Sequence, residues 1–554
     1  MHASLRITYL AIATLLPLPR ATAQWSSEVL HHFDPAATLE FFGGSLAVDQ
    51  DSLIVGAANA DGVVARTGAA YVYVRAGGTW SQQARLVPGN GITQDSFGSS
   101  VAIRGDLVAV GSPHHQPGGN PLGRVHVFRR TGTTWTQEAT IPVPVADTNP
   151  LFGTQVVVLD ERILVSAPNG NSGAGVVYRF DHVGGGWVLG QTIVPPDPVQ
   201  NLWFGQTLSS DGPRLAIGAN STLFPMPGGV YLYDWAGTSW LLDVKLLPAR
   251  LAGDGLGSSI ALQQDTLLAG CSGADFVGTD EGGAFFWKHG PSGWAEDMSL
   301  RDCRPSTSFA SDVHLDQDTA IVSSRGDDEA GAFMGSIYVF RREAGQWSLQ
   351  TKIVAPDALA TSSYMGPTLL VGDRVFLGTP QALGTGRVWE FRLLPATYPS
   401  ICVATWSNDL CAPCYDDSLL IAGSGCENSA LNCGTQLVAT GSANLSAVSL
   451  VLRARGLPLA TTAVLFQGSS TVPAAPFGAG VQCVGGSLLR IATRPANSGG
   501  WTYPLPGDPP LSAAGSIPAA GALRHYQLAY RDVSGFCGGA HSNLTNGVSV
   551  SWTP

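Results

Sequence analysis

The sequence predicts an all-β molecule, a seven-bladed β-propeller followed by a small β-sandwich-like domain, and three observations carry that prediction. A cassette like the stretch from Phe97 to Pro113 returns seven times, with a period of 52 to 55 residues. Apolar residues alternate between plentiful turn formers, 68 glycines and 36 prolines in 554 residues, as in short strands joined by turns. After residue 394 the period stops, and seven of the nine cysteines follow.

In each copy an aromatic or apolar residue opens the cassette, at Phe42, Phe97, Phe152, Phe204, Leu256, Phe309 and Tyr364. A small residue stands fourteen places later, at Gly56, Gly111, Ser166, Gly218, Gly270, Ser323 and Gly378. Apolar residues alternate just before it, as in Val108 and Val110, which marks a strand with one packed face. Between the halves lies a turn, usually with an acid at the tenth position (Asp51, Asp106, Glu161, Asp265, Asp318, Asp373), so each cassette reads as a β-hairpin. A glycine then precedes two large side chains at +3 and +5, as Gly68 precedes Tyr71 and Tyr73. Side chains two apart share a strand face, so this third strand lays two rings on one side. Seven residues beyond the second ring a tryptophan opens a fourth strand, at positions 80, 135, 187, 240, 294 and 347. Four-stranded units of this kind bury their faces only against their neighbours, which is the logic of a propeller.

Seven cassettes meet only six such tryptophans, and the missing one is N-terminal. Trp25 precedes Phe42 by seventeen residues, the interval from Trp80 to Phe97, so the stretch from Trp25 to His31 is expected to supply the outermost strand of blade seven. Tyr398 is the rival for that place, but Pro399 directly after it makes a poor strand start.

Phe97-Gly98, Val108, Val110 and Gly111-Ser112-Pro113, with Ser166-Ala167-Pro168 and Gly378-Thr379-Pro380, resemble the FG-GAP repeats of the seven-bladed propeller in integrin α subunits and in many secreted bacterial proteins. The resemblance covers about residues 25 to 394 and implies an extracellular propeller used for adhesion or binding, usually without catalysis. Many repeats of that family hold calcium in the hairpin through alternating acids and a glycine, because a hard cation needs six or more oxygens. Here the hairpins are shorter and keep only fragments, such as Asp49 with Asp51 and Asp316 with Asp318. No calcium, other metal or cofactor is therefore expected, and the recurring acid reads as a turn former.

The cysteines of the last part are Cys402, Cys411, Cys414, Cys426, Cys433, Cys483 and Cys537. Alternating stretches over Ser446–Arg453, Ser487–Thr493, His525–Tyr530 and Val548–Trp552 suggest a sandwich stapled by disulfides across 395–554. This layout resembles the cysteine-bearing β-rich tails that follow propellers in secreted bacterial proteins. Cys411-Ala412-Pro413-Cys414 has the spacing of a thiol–disulfide centre but no βαβ surroundings, and Cys426 with Cys433 is too widely spaced for a second zinc pair. Structural disulfides are the expectation. Cys271 and Cys303 flank one face of the fifth repeat and form a plausible bridge, and the odd total leaves one thiol over.

Charged residues make up only 13 % and the net charge is −11, which provides no basic stripe for nucleic acid and no polybasic patch for an anionic membrane. Arg6, the apolar run Ile7–Leu18 and Ala21-Thr22-Ala23 read as a signal peptide over residues 1–23, cleaved before Gln24. Pro17, Pro19 and Arg20 interrupt that run too early for a membrane span, and no later segment offers one. The propeller, at 24–394, and the tail are thus expected outside the cytoplasm, whether extracellular, periplasmic or on the cell surface.

No Ser/His/Asp triad, nucleophile elbow, phosphate loop or paired-carboxylate motif emerges, and no catalytic residue is assigned. The expected function is a secreted, non-catalytic binding or adhesion protein whose loops after the second and fourth strands hold an extracellular protein or glycan. The alternatives are a polysaccharide-active enzyme with acids gathered at the central channel, and a lectin with exposed aromatics. Candidate face residues are His114, His115, Phe224, Asp275, Phe276, Arg325, Asp327 and Asp328. His114-His115 and His31-His32 make poor metal pairs, since adjacent side chains on a strand point opposite ways. Arg325-Gly326-Asp327 falls in the blade-six loop, on the face where propellers of that kind usually bind partners, whereas Arg104-Gly105-Asp106 falls in a hairpin.

Overall fold

Phe42, Phe97, Phe152, Phe204 and Phe309 are all buried, and each nests edge-on against rings of the third strand of its own blade. Phe42 lies 5.5 Å from Tyr71 and 6.3 Å from Tyr73, and Phe97 lies 5.3 Å from His126 and 6.1 Å from Phe128. Edge-to-face pairs of this kind contribute about 0.5–1.5 kcal/mol beyond the area they bury. The backbone of the same phenylalanine bridges to the glycine that opens the third strand of the preceding blade, as Phe97 does to Gly68 and Phe152 to Gly123. A Cβ on Gly68 would sit 2.0 Å from the Phe97 carbonyl oxygen, and its φ of +97° also demands glycine. One cassette position therefore fixes a blade internally and ties it to its neighbour.

The computed structural model describes residues 26–30, 40–116, 119–145, 149–221, 228–248, 255–274, 282–301, 308–327, 335–343, 345–353, 365–380, 386–393, 400–401, 435–459, 461–477, 480–497, 500–532 and 542–554. Among them are seven four-stranded antiparallel sheets. Blade one is Phe42–Asp49, Ser52–Ala57, Ala69–Ala76 and Thr79–Leu86, and blade two repeats it with Ser100–Arg104, Leu107–Ser112, Arg124–Thr131 and Thr134–Pro142. The fourth strands of blades one to six carry a bulge opposite the third strand, between Val72 and Tyr73 in blade one. Nothing in the sequence pattern announced that irregularity.

Blade seven takes three strands from its own cassette region, Thr368–Val371, Arg374–Thr379 and Arg387–Arg392, and its fourth, Ser26–Leu30, from the other end of the chain. Ser26 faces Arg392, three residues past the first ring Trp389, just as Ser81 faces Val74, three past Tyr71. Trp25 and Tyr398 lie outside the described residues. The seam between blades seven and one is continuous, since Phe42 bridges Gly386 and Trp80 Nε1 donates to Glu390 Oε2 at 2.8 Å. Arg374 also donates to the Gln50 carbonyl at 3.1 Å. The ring is closed.

Past the propeller, a sheet of six strands and one of three face each other across a common core. Leu437, Leu452 and Trp501 come from the smaller sheet, and Leu465, Tyr526, Leu528 and Val550 from the larger. This is a sandwich. The strand expected over Ser446–Arg453 begins only at Val451, because Asn444 Oδ1 accepts the Ser446 amide at 2.8 Å and turns the chain there. A hairpin of Ser470–Phe477 and Gly480–Gly485 is tied to the larger sheet by Gln527, whose Nε2 donates to the Val481 carbonyl at 2.7 Å.

Candidate functional site

The blades present two faces, one made by the cassette hairpins and the other by the loops after second and fourth strands. On the hairpin face the acids serve the scaffold. Asp49 Oδ2 accepts the amide of Gly105 in the next hairpin at 2.6 Å, Asp211 Oδ2 accepts that of Gln264 at 2.5 Å, and Asp316 Oδ2 that of Gly372. The tenth-position acids pair with a cation on the third strand, Asp106 with Arg130 at 2.6 Å and Asp318 with Arg342 at 3.0 Å. Those guanidinium groups in turn lie over Trp135 at 5.1 Å and Trp347 at 5.3 Å. The acid is thus a cross-strand anchor as well as a turn residue. Among the described residues, no three His, Cys, Asp or Glu side chains gather as a metal site would require.

On the loop face, acids from the loops reach back to the third and fourth strands and hold the loops down. In blade four Asp197 Oδ1 accepts the Tyr231 hydroxyl at 2.7 Å, and Lys245 Nζ donates to Oδ2 at 2.6 Å from above the Tyr231 ring. Burial opposes ionisation of Asp197, but Lys245 and Tyr231 outweigh it and hold the carboxyl below its ordinary range. In blade six Asp327 Oδ2 accepts Ser336 Oγ at 2.6 Å and the Tyr338 hydroxyl at 3.0 Å, and it pairs with Lys352. In blade two His115 Nδ1 lies 2.7 Å from Asp95 Oδ1, while its Nε2 meets Arg124.

These anchors correct two of the candidate contacts. Asp327 is 1 % exposed and His115 3 %, so both belong to the interior of their blades and neither presents itself to a partner. The Arg-Gly-Asp sequence in blade six is consequently unable to act as an exposed tripeptide, although Arg325 itself is exposed. His114 is exposed beside its buried neighbour. Phe224, Asp275, Phe276 and Asp328 lie outside the described residues, as do Cys303, Cys402, Cys411, Cys414, Cys426, Cys433 and Cys537. Cys271 is buried at the end of the second strand of blade five, and Cys483 is buried and disulfide-bonded.

The loop face also exposes aliphatic side chains among its polar ones. Val63 and Val64 follow the second strand of blade one, and Ile92, Val145, Val194 and Leu247 follow fourth strands, all between 36 % and 55 % exposed. Val63 and Ile92 lie on loops that touch, since a Cβ on Gly91 would fall 3.2 Å from Val63 Cγ2. Sequence reading missed these residues, and it missed Asp95, Asp197, Lys245 and Lys352, because a loop carries no periodicity to read. The one available signal was the acid two places before the cassette phenylalanine, at Asp95.

The FG-GAP repeat family profile matches residues 34–73, 80–128 and 298–340. Each matched stretch ends on the second ring of a third strand, Tyr73, Phe128 or Phe340. Among solved structures, the crystal structure of a protein from Lactobacillus plantarum, a structural-genomics target, is 15 % identical, with a TM-score of 0.39, over 57 % of this chain and 85 % of that one. No curated protein matches. No helix among the described residues is long and apolar enough to cross a membrane. The three matches and the ring of four-stranded sheets lead to one identification: the chain is a β-propeller that carries FG-GAP repeats.

Proposed function

We propose that this propeller is a secreted, non-catalytic binding protein that holds an extracellular protein on its loop face, over blades one and two. The observation that supports this reading most is the character of the exposed side chains. Val63, Val64 and Ile92 stand out beside one another on loops pinned from beneath, while none of the propeller's described aromatics is among its exposed large hydrophobics. Sugar recognition draws on exposed rings and polar groups, whereas an aliphatic patch on a rigid base suits a protein surface. Asp49, Asp197 and Asp327 serve as loop anchors and hairpin contacts that keep this base rigid.

The experiment is capture from the native extracellular medium with wild-type protein and with the Val63→Asp, Val64→Asp, Ile92→Asp triple variant, alongside a glycan array. The reading expects a protein captured by the wild type and lost in a variant that melts at the same temperature. Glycan binding, or capture unaffected by the triple variant, contradicts it.

A further inference from the structure

His115 joins three segments of the loop face. It sits in the loop after the second strand of blade two, and Asp95 belongs to the loop that enters that blade. Arg124 opens the third strand of the same blade. Asp95 also fixes its own loop, because Oδ2 accepts the Ile92 amide at 2.7 Å. Both Asp95 and His115 are buried. A guanidinium has donors and no acceptor, so Arg124 must donate to Nε2, which therefore carries a lone pair. The proton of the neutral ring is then on Nδ1 and is donated to Asp95.

We propose that Asp95, His115 and Arg124 form a pH-operated latch that holds the blade-two loop down while His115 is neutral and loosens it when His115 is protonated. A second proton on His115 has only Nε2 to occupy, where it points a donor at a donor and a positive charge at a positive charge. The Arg124 contact then breaks, and the His115 ring keeps its contact with Asp95. The charged and titratable groups that act on His115 are Asp95, Arg124 and the buried His126. Burial and Arg124 push the His115 pKa down, and Asp95 only partly offsets them. His126 is pushed down to about 3 by burial, Arg124 and His115, so it stays neutral over the working range and does not compete as the switch.

The sign follows from linkage. A histidine whose folded pKa lies below its unfolded value of about 6.5 gives full stabilisation above that value. The contribution is lost as the pH falls from there through the folded pKa. The latch stands without the binding reading; its effect on ligand affinity rests on that reading.

The test is amide hydrogen exchange on the full chain at pH 7.5 and pH 5, corrected for intrinsic rates, with a histidine NMR titration beside it. Exchange at His115 and Gly123 is expected to rise about tenfold at pH 5, while Tyr231 in blade four does not change. His115→Gln keeps a donor and an acceptor in the same places without a titrating group, and it abolishes the response. Equal pH response in that variant, no response in the wild type, or a His115 titration at or above the ordinary histidine value overturns the proposal. The titration decides on wild-type protein even if the variant fails to fold, and it needs no ligand, so its failure is separate from failure of the binding reading.

Discussion

Two cassette positions compensate for each other across the chain. The last residue but one of the second strand is glycine in five blades. Eleven places before it stands a hydroxyl in four of them, Ser45 for Gly56, Ser100 for Gly111, Thr207 for Gly218 and Ser259 for Gly270, and Pro367 for Gly378 in blade seven. Each of those hydroxyls donates to a backbone carbonyl of the next blade, at 2.7 to 2.9 Å. A Cβ on Gly111 would lie 2.1 Å from the Gly153 carbonyl oxygen and 2.3 Å from Ser100 Oγ, so hydroxyl and glycine need each other. In blades three and six the small residue is serine, at 166 and 323, and the partner position holds Gln155 and Asp312 instead. There the hydroxyl has moved across, and Ser166 Oγ accepts the Gln155 amide at 2.9 Å. Gly111→Ala should therefore cost about 3 kcal/mol in urea denaturation, as overpacking against a fixed backbone does. A loss under about 0.5 kcal/mol, ordinary for a surface change, would mean that the contact is not tight.

At the scale of the strand and hairpin, much was legible because periodicity carries it. The alternation of Val108 and Val110, the ring pair Tyr71 and Tyr73 and the glycine before them reappear as strands with the expected faces. The acids were read correctly as turn residues but incompletely. That Asp49 accepts an amide from the next hairpin depends on how blades are stacked, and one hairpin taken alone does not reveal its neighbour. Loop residues were the least legible, since His114 and His115 are adjacent and alike, yet one is exposed and the other is buried against Asp95. The carboxylates that might have bound a cation already accept amide or guanidinium hydrogens. Millimolar calcium followed by EDTA should accordingly leave the melting temperature unchanged, and a rise with calcium that EDTA reverses would identify a hairpin cation site.

For the whole molecule, stability depends on closure, because each blade can bury its faces only against its two neighbours. The closing seam is built differently from the rest. Glu390, 5 % exposed, occupies a third-strand position that is apolar at Val72, Val127, Leu232, Phe286 and Val339, with Arg179 the other exception. Its carboxylate accepts Trp80 Nε1 and lies 3.7 Å from Arg374 and 4.0 Å from Arg75. A buried polar contact such as the Trp80–Glu390 hydrogen bond specifies one partner where an apolar one would accept several. At this seam the partner is more than 300 residues away in the chain, and the correct match matters most.

The central claim is that an N-terminal strand completes the last blade, and thermal melting of a chain lacking residues 24–33 tests it most directly. Each kcal/mol lost from a domain of this size shifts the midpoint by roughly 2–4 °C or less, so loss of one of the blade's four strands predicts a fall of ~10 °C. A melting curve identical to that of the full chain would contradict the closure and with it the account of the ring.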